Sequence, residues 1–426
     1  MLLVRLPFPT RCWGIATCRV PAALAPITTI GTAEVDQAEA GVAPEGVGRI
    51  WQAVERLYRS GIHPAIQLCV RYRGHVVIDR AIGHAQGNGP DDGPEVEKEL
   101  VTTETPFTIY SASKAITAMM IHLLDERNLL RLDDPVCEYI PEFGTRRKQW
   151  ITIRHILTHR AGIPALAPGA LDLDLLSQPD RIVEILCETE PAWRPGRTLA
   201  YHTITGGFVI AEIVRRVWGR DIRTLMSEAV CRPLRFRWMN YGVRPADVPR
   251  VARNYFTGPP VLPPASLLMR RALSADMRTI IDLSNDPRFL LGIIPAANVV
   301  TTANELSRFY QLLLQGGELD GVRVFERRTI RRATVEQSYL ELDLTLGLPL
   351  RYGMGFILGG RWFSLYGPDT QHAFGHLGFT NIISWADPKR DVAAALMTSG
   401  KPLLYPQIYH LLDVLRQIGR ACQAAA

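Results

Sequence analysis

Apolar positions fall at helical spacing from Val47 to Ser60, where Ile50, Val54 and Leu57 mark one side of an amphipathic helix. The period then changes. AIQLCVRYRG and HVVIDRAIGHA are two β-rich runs that meet at Arg73-Gly74, which predicts a hairpin. Gly, Pro, Asp and Glu recur through 84–102 and predict a loop, whereas 112–130, dense in Ala, Met, Ile and Leu, predicts a helix. The stretch 150–235 reads as largely helical, with loops at 161–172 and 191–202. A Pro-, Arg- and Leu-rich segment, 243–297, matches no regular template, and helical spacing restarts from Ser307 to Gln315. After Arg351 short β-rich runs return as YGMGFIL, FTNIISWA and DVAAALMT, and a helix follows near 405–420. Residues 1–43 read as an irregular extension. No internal repeat interrupts this order.

Strands at both ends and helices between them predict an α+β domain closed by the two ends of the chain. On this reading residues 44–422 form one domain. Its α/β part is 44–110 plus 345–422, and its mainly helical part, 111–344, is inserted.

The formal charge of +6 comes almost entirely from arginine, because lysine occurs at only five positions. The arginines are scattered, and the densest cluster, Arg146-Arg147-Lys148, is short and has no regularly spaced aromatics beside it. That pattern argues against a nucleic-acid partner and for a solvated surface. The seven cysteines (12, 18, 69, 137, 187, 231 and 422) are odd in number and form no Cys-x-x-Cys pair. They predict neither a disulfide framework nor a cysteine zinc site. The first 33 residues hold three arginines and no acid, but Pro7, Pro9, Pro21 and Pro26 break every apolar stretch, so no signal core is expected. No run of eighteen apolar residues predicts a spanning helix. A cytoplasmic location fits best, with secretion or attachment to the cell envelope left open.

The sharpest chemical feature is Tyr110-Ser-Ala-Ser-Lys114, directly before a helical run. A serine hydroxyl is a weak nucleophile that needs a base, and one helical turn brings Lys114 beside Ser111. The helix N-terminus adds N–H groups that favour developing negative charge. The same serine would also serve as an ordinary helix cap. Tyr201 stands at a loop–helix boundary in WRPGRTLAYHTITGGF. There it can relay a proton if a nearby cation lowers its pKa, or simply pack as a ring. FGHLGFTN (374–381) offers Gly375 and Gly378 for close backbone approach, and the Phe379 N–H as a partner to the Ser111 N–H in an oxyanion hole.

In order and context these three motifs resemble the serine β-lactamase/D,D-peptidase/esterase superfamily, above all its class C β-lactamase-like carboxylesterases (family VIII esterases). The resemblance covers about residues 48 to 418. RLDDPVCEYIPEF, ITIRHILTHRAGIP, IIPAANVVTTANELSRFY and GHLGFTNIISWADP match as well. It implies a β-lactamase/transpeptidase-like fold, an antiparallel sheet flanked by helices. It also implies Ser111 as acylated nucleophile, Lys114 and Tyr201 as general acid/base, and the Ser111 and Phe379 amides as oxyanion hole. Tyr110, His202, His376, Leu377 and Gly378 would contact substrate, and no cofactor is implied.

Two departures redirect the expected substrate. Tyr-x-Asn is replaced by Tyr201-His202-Thr203, and Lys-Thr-Gly by His376-Leu377-Gly378. A mostly neutral histidine and a leucine are poor partners for the carboxylate of a penicillin or peptide. The expectation is therefore an esterase acting on small-molecule esters or lipids with short to medium acyl chains. The rivals are a β-lactamase, D,D-peptidase or acyltransferase using the same centre, and an inactive binding or scaffold member. The segment 243–297 is expected to line or lid the acyl pocket and to touch lipid surfaces peripherally. His155 and His159 make an HxxxH pair without the metalloprotease glutamate, so no metal site is expected there. Asp172 and Asp174 read as loop and cap residues, and Gly-x-Ser-x-Gly does not occur.

Overall fold

The computed structural model describes residues 14–36, 39–165, 172–273 and 275–424. Its centre is a ten-stranded sheet of β1 (Thr28–Ile30), β2 (Ala65–Tyr72), β3 (His75–Gln86), β4 (Glu99–Leu100), β5 (Ser338–Asp343), β6 (Leu348–Tyr352), β7 (Ile357–Leu358), β8 (Phe374–Gly378), β9 (Ile382–Asp387) and β10 (Val392–Thr398). The order is β1-β3-β2-β10-β9-β8-β7-β6-β5, with β4 paired to β3, and neighbouring strands are antiparallel. The expected hairpin is present. Tyr72 pairs with His75 across Arg73 and Gly74, both with positive φ, the twist a two-residue hairpin needs.

Five helices position the sheet and the site: α1 (Pro44–Arg59), α2 (Ser113–Glu126), α3 (Thr205–Trp218), α4 (Ala303–Leu314) and α5 (Ile408–Ala421). On β2, Ile66, Leu68 and Val70 join the core under α1 and α5, while Ala65 and Cys69 face the core that contains α2 and α4. The central strand is thus buried on both faces, which explains why AIQLCV reads as a continuous apolar run. Its polar members are paired inside. Gln67 accepts from the Ala303 N–H at the start of α4, and Arg71 donates to Ser307 and Asn304 on that helix.

The α+β class with an antiparallel sheet is as expected, but several elements depart from the sequence pattern. Residues 28–30, in the supposedly irregular extension, pair with β3 along its edge. β4 forms within the expected loop 84–102. The edge strand β5 lies inside the stretch assigned to the helical part. The segment 243–297 contains three short helices, Ala265–Leu273, Met277–Leu283 and Pro287–Leu291. The last two start at Asp276 and Asp286, whose carboxyl groups cap the Thr279 and Arg288 N–H groups. No helix among the described residues is long and apolar enough to cross a membrane.

Candidate active site

The site forms where α2 begins. A single 3-10 turn, Tyr110–Ala112, leads into the helix, and Tyr110 adopts φ +47°, which bends the chain sharply before Ser111. Lys114 follows one turn later. Its ammonium nitrogen lies 3.1 Å from Ser111 Oγ, 2.7 Å from the Thr203 carbonyl and 3.2 Å from the Ala296 carbonyl. Burial pulls its pKa down to about 7. Those partners fit the neutral amine: two carbonyls accept its two N–H bonds, and the lone pair is left for the Ser111 hydroxyl.

Tyr201 is held by a loop pinned at four successive residues. The Ala200 N–H donates to the His159 carbonyl, Tyr201 N–H to Asp343 Oδ1, His202 N–H to His159 Nδ1 and Thr203 N–H to the Pro164 carbonyl. The Tyr201 phenol hydrogen-bonds Ser111, and its ring lies 4.7 Å from the Lys114 nitrogen. Burial pushes the phenol above its ordinary range; the Ser111 bond opposes this and the nearby Asp343 charge adds to it. The lowered tyrosine pKa envisaged from the sequence is thus not met in the resting site, because burial outweighs the Ser111 hydrogen bond.

Three histidines surround this pair. The His159 ring centroid is 4.6 Å from that of Tyr201, His202 sits edge-on to His159, and His376 lies 6.2 Å from Tyr201. Burial drives His202 and His376 down to about 3 and His159 well below its ordinary value. All three are therefore neutral near pH 7. Partners set two of the tautomers: His159 Nδ1 accepts from an amide, so Nε2 carries its proton. His376 Nδ1 faces the Leu377 carbonyl at 2.7 Å, so its Nε2 is bare.

Strand β8 closes the other side. A Cβ on Gly378 would stand 2.0 Å from the Ile109 carbonyl oxygen, so only glycine lets β8 approach the nucleophile turn this closely. Phe379 stacks on Tyr110 at 5.2 Å. Of the residues expected to contact substrate, Tyr110, His202 and His376 are all buried. The Tyr110 hydroxyl is 2.6 Å from Ser284 Oγ, and the Lys401 ammonium lies 5.0 Å over its ring. His202 lines a narrow cavity of about 30 Å³ one helical turn deeper than Ser111, with Lys114, Thr117, His159 and Gly207. Leu377 packs beside Tyr201, Leu350 and Tyr352.

The remaining expectations separate clearly. His155 Nδ1 accepts from the Thr152 N–H as part of a helix cap, and His159 Nδ1 accepts from the His202 N–H; no group of three or more metal-type side chains is found among the described residues. Asp172 caps the Asp174 N–H. The segment 243–297 reaches the site from below, through Ser284 on Tyr110 and Ala296 on Lys114.

Sequence reasoning missed Lys401 and Asp343 and read His159 only as half of an HxxxH pair. Asp343 is fully buried. Its Oδ1 accepts from the Tyr201, Thr345 and Leu346 N–H groups, and its Oδ2 accepts from the Tyr352 hydroxyl at 2.9 Å. An acid amid leucines in ELDLTLG was the available signal.

The Beta-lactamase family model matches residues 52–411. LipL of Mycobacterium tuberculosis, described as an esterase/beta-lactamase, is 32% identical over 333 residues, which span 71% of this chain and 73% of LipL. Two solved structures share the fold. A penicillin-binding protein homologue from Caulobacter crescentus superposes with a TM-score of 0.75 at 24% identity, over 89% of this chain and 98% of that one. A family VIII carboxylesterase does so with 0.74 at 23%, over 88% and 97%. With a match across most of its length and a Ser-x-x-Lys centre at the start of α2, this chain belongs to the β-lactamase family and is a hydrolase of the serine β-lactamase-like superfamily.

Proposed function

We propose that this protein, with residues 44–422 as its catalytic domain, hydrolyses carboxylic esters of short to medium acyl chains through an acyl-enzyme on Ser111. Neutral Lys114 takes the Ser111 proton as Oγ attacks the ester carbonyl. The Ser111 and Phe379 amides hold the oxyanion. Protonated Tyr201 gives its proton to the departing alkoxide and is reprotonated from Lys114, leaving both groups as they began. Water then attacks the acyl-enzyme, the same groups take and return its proton, and the acid leaves.

The observation that carries this reading is the neutral Lys114–Ser111 pair beside a His376 that presents a bare Nε2. A bare imidazole nitrogen repels a carboxylate, so the site favours a neutral ester over a penicillin or peptide carboxylate. A β-lactamase activity on the same serine is the second reading, favoured by the double description of LipL. Labelling by a fluorophosphonate, lost in Ser111→Ala, tests the nucleophile and the inactive-scaffold alternative together. Turnover of p-nitrophenyl esters of increasing acyl length against that of a chromogenic cephalosporin then decides between ester and lactam. Faster cephalosporin turnover, or labelled protein that cleaves no ester, overturns the proposal.

A further inference from the structure

The edge strand β5 and its turn are inside out. In SYLELDLTLGLPL leucine recurs at every second position from 340 to 350, the pattern of a half-buried strand. Yet the inward member is Asp343, fully buried, while Leu342, Leu344, Leu346 and Leu348 are exposed. The inversion is built in. Asp343 is anchored to Tyr201 and Tyr352, and a bulge at 338–341 with Leu340 at φ +47° turns both Tyr339 and Leu340 outward. A leucine in the left-handed region is strained, and bulges at sheet edges commonly re-aim side chains. Leu340 and Pro349 share a groove with Phe363, and the next residue back, Trp362, is 91% exposed.

The charge around this surface is mainly positive, its acids Glu336 and Glu341 being paired and Asp369 lying near Arg361 but bound to Lys389. The hairpin's other acid, Glu341, is paired with Arg160. Arg361 stacks on Trp362, and Arg194 and Arg197 precede Leu199, whose carbonyl accepts from the Leu344 N–H. Arg194, Arg197 and Arg361 form no ion pair among the described residues.

We propose that the 338–352 hairpin and the Trp362–Phe363 bend form a docking surface for lipid bilayers bearing anionic headgroups. Apolar side chains on a projecting turn, an interfacial tryptophan and a rim of unpaired arginines match the layers of such a surface. A second copy of the chain is disfavoured as occupant, because self-pairing across this edge would bring Arg194, Arg197 and Arg361 of both copies together, while the nearby acids already hold partners. Through Asp343 the docked hairpin is tied to the backbone of Tyr201. The purpose of docking, delivery of lipid esters to the site, rests on the ester reading; the binding itself does not.

The test is co-sedimentation of the full chain with vesicles of phosphatidylcholine, with and without phosphatidylglycerol, alongside Trp362→Ser and Leu344→Ser/Leu346→Ser. The intact protein is expected to sediment with the anionic vesicles and to be released as salt rises. Either variant is expected to bind about tenfold or more weakly, on the scale of one exposed apolar side chain losing its burial. The variants should keep kcat/KM on the water-soluble p-nitrophenyl acetate, which shows that they fold. Intact protein that stays in the supernatant, or variants that bind as it does, overturns the proposal. So does a concentration-dependent dimer abolished by the same substitutions, which assigns the surface to a second copy. Vesicle binding without ester hydrolysis would sink the ester reading and leave the docking surface standing.

Discussion

Replacing Lys114 by arginine puts a permanently charged group where the structure requires a neutral one. Desolvation brings the Lys114 pKa from 10.5 to about 7, equivalent to at most about 5 kcal/mol against the charged form. At pH 7 roughly half of the molecules then hold the amine, against about one in three thousand for an unperturbed lysine. The amine fraction falls about tenfold for each pH step below this value, so kcat/KM should fall with unit slope on the acid side of about pH 7. The neighbouring histidines cannot produce that limb. His202 and His376 titrate near 3 and His159 well below its ordinary value.

The assay is kcat/KM for p-nitrophenyl butyrate across about pH 5 to pH 9, read at the isosbestic wavelength of p-nitrophenol so that product ionisation does not distort it. Lys114→Arg is expected to lose about 10²- to 10⁴-fold at pH 7, the range of a general base, while fluorophosphonate labelling slows in proportion. A profile that is flat through this range, a midpoint above about 9, or an arginine variant within tenfold of the parent would refute the assignment of Lys114 as base.

Three further outcomes follow from named contacts. Lys401 is buried, donates to the Thr398 carbonyl and has a pKa lowered to about 7 from 10.5, so the unfolded chain binds more protons between these values and its cost to stability is full below pH 7. Lys401→Met should therefore raise stability at about pH 6, by roughly 2–3 kcal/mol after the lost hydrogen bond and ring contact, with the gain fading toward pH 10; calorimetry showing equal loss at both pH values would contradict this. Asp343→Ala leaves three N–H groups and the Tyr352 hydroxyl without their acceptor and should cost about 4 kcal/mol or more by urea titration. Asp343→Asn, which keeps one oxygen, should fold and lose mainly kcat. Gly378→Ala forces β8 off the Ile109 carbonyl and should reduce kcat at least about a hundredfold through the oxyanion geometry, with KM changed far less.

What was legible in the sequence was local. Ser111 and Lys114 are three residues apart on one helix, so their approach follows from helical geometry alone. Leu68 and Leu396, paired strand positions far apart in sequence, show why the sheet was harder: period-two patterns name strands but not neighbours. The role of Asp343 was hard to read for a related reason. Its partner Tyr201 lies 142 residues away, and a buried acid among leucines looks like a surface acid until the anchoring amides are placed. The pattern at 340–350 was periodic, but period does not say which face is inward, and here the polar alternate is the buried one. The lysine pKa was also beyond the sequence, because it depends on a burial that only the folded chain supplies.

The histidine that replaces the usual lysine in the third motif acts on both substrate choice and base strength. The Lys114 charge lowers the His376 pKa further, and the neutral imidazole leaves Lys114 with its desolvation alone. Converting His376 to lysine adds a second ammonium. At about 6–8 Å and an effective dielectric constant near 20, each like charge costs the other roughly 2 kcal/mol. The two ammonium groups then titrate as a pair, and the first proton leaves about 1.5 pH steps lower than in the parent. The acid limb of ester hydrolysis should move down accordingly. Acylation by a cephalosporin, whose carboxylate now meets a donor in place of a bare nitrogen, should accelerate, and pairing His376→Lys with Leu377→Thr should extend the gain by supplying a hydroxyl. An unchanged acid limb together with unchanged cephalosporin acylation, in a variant that still cleaves p-nitrophenyl esters, would mean that position 376 governs neither property.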